Sequence, residues 1–172
     1  YNMIDRVKST YQMNDYYEGQ RVYKKENVDK SIIYGVETEM GIQLSEQLAI
    51  SGCMNYNYGE KQSTKEPLRR IPPLNGKIKL QWAPANNFWS DISILFANKQ
   101  DRLSQGDIDD HRISDGGTRG WTVLNIHAGY IINSKLQFLS GLQNLMNTEY
   151  RLHGSGIDGY GRSYWIGVNA SY

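Results

Sequence analysis

Counted back in steps of two from its last residue, the chain reads Tyr172, Ala170, Val168, Ile166 and Tyr164 on one phase. The other phase reads Ser171, Asn169, Gly167, Trp165 and Ser163. One face is apolar with an aromatic residue at each end, and the other is small or polar apart from Trp165. Successive side chains of a strand point to opposite faces. The segment from Tyr160 to Tyr172 therefore reads as a strand with an apolar medium on one side and water or a packed lumen on the other. A chain that ends this way predicts an antiparallel transmembrane β-barrel.

The same alternation runs through the rest of the sequence. Residues 31–44 carry Ile32, Tyr34, Val36, Met40, Ile42 and Leu44 on one phase against Glu37, Glu39 and Gln43. Residues 48–58 carry Leu48, Ile50, Met54, Tyr56 and Tyr58 against Ser51, Cys53, Asn55 and Asn57. Residues 74–82, 88–96, 122–132 and 136–142 repeat the pattern, and residues 1–8 read as the end of one more strand. This makes about eight strands. Their connections alternate in length. Those at 44–48, 83–88 and 132–136 are tight; those at 10–30, 59–73, 98–120 and 146–159 are long and rich in Gly, Asp, Asn, Ser and charge. Short turns on the periplasmic side and long external loops are what a transmembrane barrel requires. With that orientation, aromatic residues of the apolar phase fall at both membrane interfaces. Trp82, Phe88, Tyr130 and Tyr172 lie at the periplasmic ends, and Tyr34, Tyr56, Tyr58, Phe96, Tyr160 and Tyr164 at the outer ends.

Composition narrows the choice. The net charge of +1 gives no case for nucleic acid, and the single Cys53 excludes an internal disulfide or a multi-cysteine zinc site. Cys53 reads as a small packed lumen residue. No run of about 18 apolar residues exists, so no membrane helix is expected. A barrel hides from average hydropathy because half of each strand is polar. The chain has neither an initiator Met nor a signal peptide, which predicts a piece of a longer exported protein.

Several segments resemble the C-terminal part of TonB-dependent outer-membrane receptors. They are Asn144-Leu145-Met146-Asn147, then Tyr150-Arg151, then Gly161-Arg162 before the closing aromatic strand. Arg70-Ile71-Pro72-Pro73 before a strand, Gly120-Trp121-Thr122-Val123-Leu124-Asn125, and the loop from Asp101 to Thr118 are similar to the family as well. Met146 stands where the family more often has Phe, and Tyr172 ends the chain in place of the more usual Phe. The resemblance implies the last third of a barrel of about 22 strands, with the plug domain and the first strands absent from residues 1–172. It implies a receptor in the bacterial outer membrane for a scarce metal chelate such as a ferric siderophore, haem or cobalamin. Its expected partners are outer-membrane lipid and lipopolysaccharide, the metal-chelate ligand, TonB through the upstream region, and the barrel-assembly machinery through the C-terminal strand.

Direct ligand contact is expected of residues in the external loops: His153, Arg151, Tyr150, His111 and Arg112. His127 is expected to face the lumen. No histidine pair has metal-ligand spacing, and no catalytic grouping, resident metal or cofactor is expected. Each feature also has a plainer reading. Asn144 and Asn147 suit Asx turns. The aspartates at 101, 107, 109, 110 and 115 suit a solvated loop as well as a calcium site, since no EF-hand spacing is present. Arg69 and Arg70, with Lys61 and Lys65 around Glu60 and Glu66, make a basic loop that could attract an anion or simply be solvated. Glu37 and Glu39 share a strand face and suit lumen hydrogen bonds. Two alternatives remain open: a complete eight-stranded barrel with an adhesive or structural role, and a soluble ligand-binding barrel with its apolar phase turned inward.

Overall fold

The computed structural model describes residues 2–3, 6–28 and 30–171; Tyr1 and Tyr172, which the strand and interface expectations include, lie outside them. Seven long strands follow one another in both chain and sheet order. They are β4 (Ser31–Gln43), β5 (Leu48–Lys61), β6 (Asn75–Ala85), β7 (Phe88–Ala97), β8 (Trp121–Asn133), β9 (Leu136–Gln143) and β10 (Ser163–Ala170). All their pairings are antiparallel. The two-residue β1 (Asn2–Met3) pairs with the start of β4. Among the described residues nothing joins β10 to β1 or β4, so the sheet is open and not the closed eight-stranded barrel of the first alternative.

Register shows why the alternation in sequence matters. One continuous row across all seven strands reads Ile42, Ile50, Leu80, Ile92, Ile126, Leu142, Tyr164. The adjacent row on the opposite face reads Gln43, Ala49, Gln81, Asp91, His127, Gly141, Trp165. A slip of one residue in any pairing would send a strand's apolar set to the wrong face. The apolar face is left bare: Met40, Ile42, Ile78, Ile92, Ile94 and Ile166 are all exposed. Water-soluble monomers rarely leave so large a patch uncovered.

Among the described residues the buried apolar side chains are Leu68, Ala97, Ile113 and Val123. Leu68 and Ile113 belong to loops, and Ala97 and Val123 lie at the loop ends of β7 and β8, so no buried apolar core runs through the middle of the sheet. Its strands are joined by tight turns at one end, with Asn86-Asn87 and Ser134-Lys135 as two-residue connections. Long loops 62–74, 98–120 and 144–162 gather at the other end. Aromatic residues of the apolar phase lie toward both ends of the strands. At the turn end Trp82 meets Phe88 edge-on, with ring centres 5.9 Å apart, and the Tyr130 hydroxyl accepts a hydrogen bond from Asn87 Nδ2. At the loop end Tyr34 stacks on Tyr58 at 5.0 Å. Tyr56 and Tyr164 lie exposed on the same phase, and Phe96 leans over Gly76 on the neighbouring strand.

Residues 10–30 differ from expectation. In place of an irregular loop, β2 (Arg6–Tyr17) and β3 (Gln20–Val28) form a β-ladder. Asn2 faces Ile32, and Arg6, four residues on, faces Val28, four residues back. The pairs of β2 on β3 thus keep the same numerical register as those of β1 on β4, although the two ladders belong to separate sheets. Glu18 and Gly19 close the β2–β3 hairpin, both with positive φ (50° and 77°), the two-residue turn whose twist matches antiparallel strands.

The apolar row sets a test. Ile94→Arg, with Ile78 and Leu124 facing Ile94 on the neighbouring strands, should destabilise the full-length protein in lipid vesicles by about 2–4 kcal/mol in urea unfolding. Gln81→Arg, on the opposite face, should change it by less than about 0.5 kcal/mol. Equal costs would contradict the assignment of faces.

Candidate functional site at the loop end

The three loops are built as one body. Loop 98–120 contains the helix α1 (Gln105–Ile108), which the sequence reading missed. Ser104 caps it, accepting from Asp107 N at 3.2 Å, while Asp107 Oδ2 accepts from Ser104 N at 3.1 Å. The Ser-x-x-Asp spacing is the signal that could have revealed it. Asp107 Oδ1 also accepts from the backbone N–H of Arg70 at 3.1 Å. The carboxylate of Asp110 takes Arg69 at 2.7 Å, Arg70 at 3.2 Å and Arg112 through two parallel bonds of 2.7 and 2.6 Å. Its side chain is 2% exposed. Asp107 and Asp110 are thus committed to capping and arginine pairing. Among the described residues no three His, Cys, Asp or Glu side chains converge to hold a metal ion.

The basic loop resolves into pairs. Lys61 bonds Glu66 and Lys65 bonds Glu60, whereas Arg69 and Arg70 reach across to Asp110. Arg102 donates to Gly59 O at 2.8 Å and lies 3.8 Å from the centre of the Tyr58 ring. Tyr58, expected as an interface aromatic, therefore also anchors loop 98–120.

Loop 144–162 is tied down by its asparagines. Asn144, 2% exposed, donates from Nδ2 to Thr148 O at 2.8 Å and Tyr160 O at 2.9 Å, and accepts from Thr148 N at 2.8 Å. Its positive φ of 49° suits Asn better than most residues. Asn147 Oδ1 accepts from Arg162 N at 2.9 Å. The Asn-Leu-Met-Asn segment is thus spent on holding the loop. Gly159 is required by contact, since any Cβ there would lie about 2.0 Å from the Tyr150 ring.

Between loops 98–120 and 144–162 opens a cleft of about 580 Å³. Three of the five expected ligand residues line it: Arg112, Tyr150 and Arg151. Trp121 and Arg119 line it as well and were not singled out. The signal for Trp121 was its phase: it pairs with Ala97 on the face opposite the apolar rows. Its ring sits 4.8 Å from that of Tyr150, and its Nε1 donates to Arg151 O at 3.1 Å. Arg151 Nε bonds Asp158 Oδ1 at 2.6 Å, which holds the carboxyl of Asp158 below its ordinary range and raises Arg151. The lining therefore sets three guanidinium groups, Arg112, Arg119 and Arg151, against two carboxylates, Glu149 and Asp158, beside the Trp121–Tyr150 ring pair. Guanidinium groups bind carboxylate, phosphate and similar anions through paired N–H donors, and they stack on rings.

His111 is exposed outside the cleft lining. His153 is a loop fastener: its Nδ1 shares a 2.9 Å hydrogen bond with Thr118 Oγ1, and its Nε2 is buried without a partner among the described residues. His127 has the expected phase and bonds Asp91 Oδ1 at 3.1 Å. Glu37 and Glu39 are exposed and make no ion pair among the described residues.

Burial is the largest influence on His153 and holds its imidazole below the ordinary value of 6.5; Asp107 and Asp110 oppose this, and Arg70 reinforces it. A histidine with a depressed folded pKa favours folding when neutral. Its contribution is whole above about 6.5 and is lost as pH falls through that value toward the folded pKa. Amide exchange in residues 144–162, corrected for intrinsic rate, should accelerate between pH 7.5 and 5 relative to strands β7 and β8. His153→Gln should remove that dependence; an unchanged response in the variant would contradict the assignment.

Comparison with known proteins bears on the family and the fold. Residues 1–145 match the family model described as TonB dependent receptor-like, beta-barrel. The chain is 21% identical over 149 residues to the iron-regulated outer membrane virulence protein of Vibrio cholerae, covering 85% of this chain and 22% of that protein. Its fold matches the copper transporter OprC with a TM-score of 0.83 at 18% identity, over 99% of this chain and 27% of that one. It matches the siderophore receptor PirA of Pseudomonas aeruginosa at 0.68 and 16% identity, over 99% and 25%. It matches the closed form of the ferric-catecholate import receptor Fiu of E. coli K12 at 0.67 and 15%, over 98% and 24%. The chain thus spans about a quarter of the length of these relatives. That family is one of outer-membrane transport receptors, not enzymes. The apolar rows face lipid, and the chain belongs to the TonB-dependent receptor-like β-barrel family of the bacterial outer membrane.

Proposed function

We propose that the full-length protein imports a scarce metal as an anionic chelate, with energy delivered through TonB, and that this chain supplies barrel wall and capture loops. The observation that carries the reading is the cleft, where Arg112, Arg119 and Arg151 line the same space as the Trp121–Tyr150 pair and outnumber the two acids there, Glu149 and Asp158, the latter already paired with Arg151. Such a surface recognises the organic, negatively charged face of a chelate and not a bare cation. The names of similar proteins, a siderophore receptor and a ferric-catecholate import receptor, point the same way. The copper transporter shares the fold at 18% identity, but among the described residues no three His, Cys, Asp or Glu side chains converge to hold an uncomplexed ion, and of the two cleft acids Asp158 is paired with Arg151. Residues 1–172 would form the last third of the wall, with the plug, the TonB contact and the remaining strands contributed upstream. Lipopolysaccharide would meet the outer aromatic residues, and the closing strand would be the part read by the assembly machinery.

The test uses the full-length gene in a host stripped of its own receptors. Uptake of radio-iron would be followed for ferric catecholate, ferric citrate and haem, with radiolabelled cobalamin alongside. At least one should enter, and an uncoupler of the proton gradient should stop it. Replacing Arg112, Arg119 and Arg151 together by Gln should weaken binding of that chelate at least about tenfold, or ~1.4 kcal/mol, with the amount of folded barrel unchanged. Energy-independent entry, or full affinity in the triple variant, would overturn the reading.

A further inference from the structure

We propose that Asp110 is the positioning residue of the outer mouth: one buried carboxylate locks the three loops into a preformed body and fixes Arg112 on the cleft wall. The proposal rests on the cleft being the capture surface. Three arginines converge on Asp110 from two loops, Arg69 and Arg70 from 62–74 and Arg112 from 98–120. Both carboxylate oxygens are used, and the bidentate bond to Arg112 sets the plane of that guanidinium. Loop 144–162 lies on the same side chains. A Cβ at Gly154 would come within 3.5 Å of Arg70, and one at Gly156 within 3.3 Å of Arg112. All three loops therefore rest on one anion.

Charge makes the lock strict. A carboxylate removed from water is tolerated because guanidinium groups replace its hydration, and three guanidinium groups so close together are tolerated because the carboxylate lies between them. Remove the carboxylate and the arginines repel. They would swing toward solvent, which Arg69 and Arg70 already touch with nearly half their side-chain surface (49% and 46%). Loss of Asp110 should thus loosen loop 144–162 too, although that loop makes no hydrogen bond to it.

The experiment uses the full-length protein in lipid nanodiscs with Cys53→Ser. Spin labels go at pairs of the exposed loop positions Thr64, Asp115 and Ile157. Distances are measured by pulsed electron resonance with no ligand present. All three distributions should be narrow. Asp110→Asn, close in shape but uncharged, should broaden all three by about twofold or more, while amide protection of β7 and β8 stays as in the parent. Asp110→Glu, which restores the charge, should recover at least half of the narrowing. Arg112→Gln, a second route to the same lock, should broaden the pairs that include Asp115. Unchanged widths in Asp110→Asn, broadening confined to the Thr64–Asp115 pair, equal loosening of the strands, or no recovery in Asp110→Glu would each overturn the proposal. Because the distances are read without ligand, failure of the chelate reading leaves this result intact, and failure here leaves uptake to be judged on its own.

Discussion

Hydrocarbon offers no hydrogen-bond partners, so each backbone N–H and C=O crossing it must be satisfied by the chain itself, and a sheet does this only strand against strand. The rest of the structure depends on that requirement. It dictates neighbours in chain order joined by tight turns. It also demands a register that keeps Ile42, Ile50, Leu80, Ile92, Ile126, Leu142 and Tyr164 in one row. The lack of a core inside the sheet follows as well, because lipid takes the place that a core has in a soluble fold. Trp89 over Gly129 and Trp165 over Gly141, directly paired on the other face, cover bare backbone where lipid does not reach.

Beyond the bilayer the problem reverses. Water can satisfy the backbone, so order must come from side chains. The loop end accordingly holds most of the buried polar groups, with Asp107, Asp110, Gln100 and Asn144 nearly inaccessible. Each joins segments far apart in sequence: Gln100 donates to Ile71 O at 2.6 Å, and Asp110 holds arginines from two loops. A half-satisfied network of this kind would cost more than an apolar one. That cost is a physical reason for such loops to be either wholly assembled or wholly open.

Legibility from sequence followed the same division. Inside the bilayer each strand carries its own signal, and the ends of β4, β5, β7, β8 and β9 fall within a few residues of the alternation read from sequence. The hairpin of β2 and β3 was hidden because its alternation is uneven: Val7, Tyr11, Met13 and Tyr17 share one phase of β2, but Ser9 and Asp15 interrupt it, and β3 carries charge on both phases at Arg21, Lys24, Lys25 and Glu26. The pairing of Asp110 with Arg69, 41 residues away, leaves no local trace, since any acid in a loop looks the same before the loops meet. Arg112, Tyr150 and Arg151 were found through family resemblance. Trp121 was visible within the Gly120–Asn125 segment that resembles the family, but nothing local marked it as a cleft residue.

The central claim is that β7 and its neighbours form a wall with lipid on the apolar phase and an aqueous lumen on the other. Spin labels placed singly at residues 88–97 of the full-length protein in nanodiscs, in a Cys53→Ser background, test it most directly. Accessibility to oxygen, which partitions into lipid, should peak at Phe88, Ser90, Ile92, Ile94 and Phe96. Accessibility to a water-soluble nickel chelate should peak at Trp89, Asp91, Ser93 and Leu95. The opposite phase, or no two-residue period, would contradict the account.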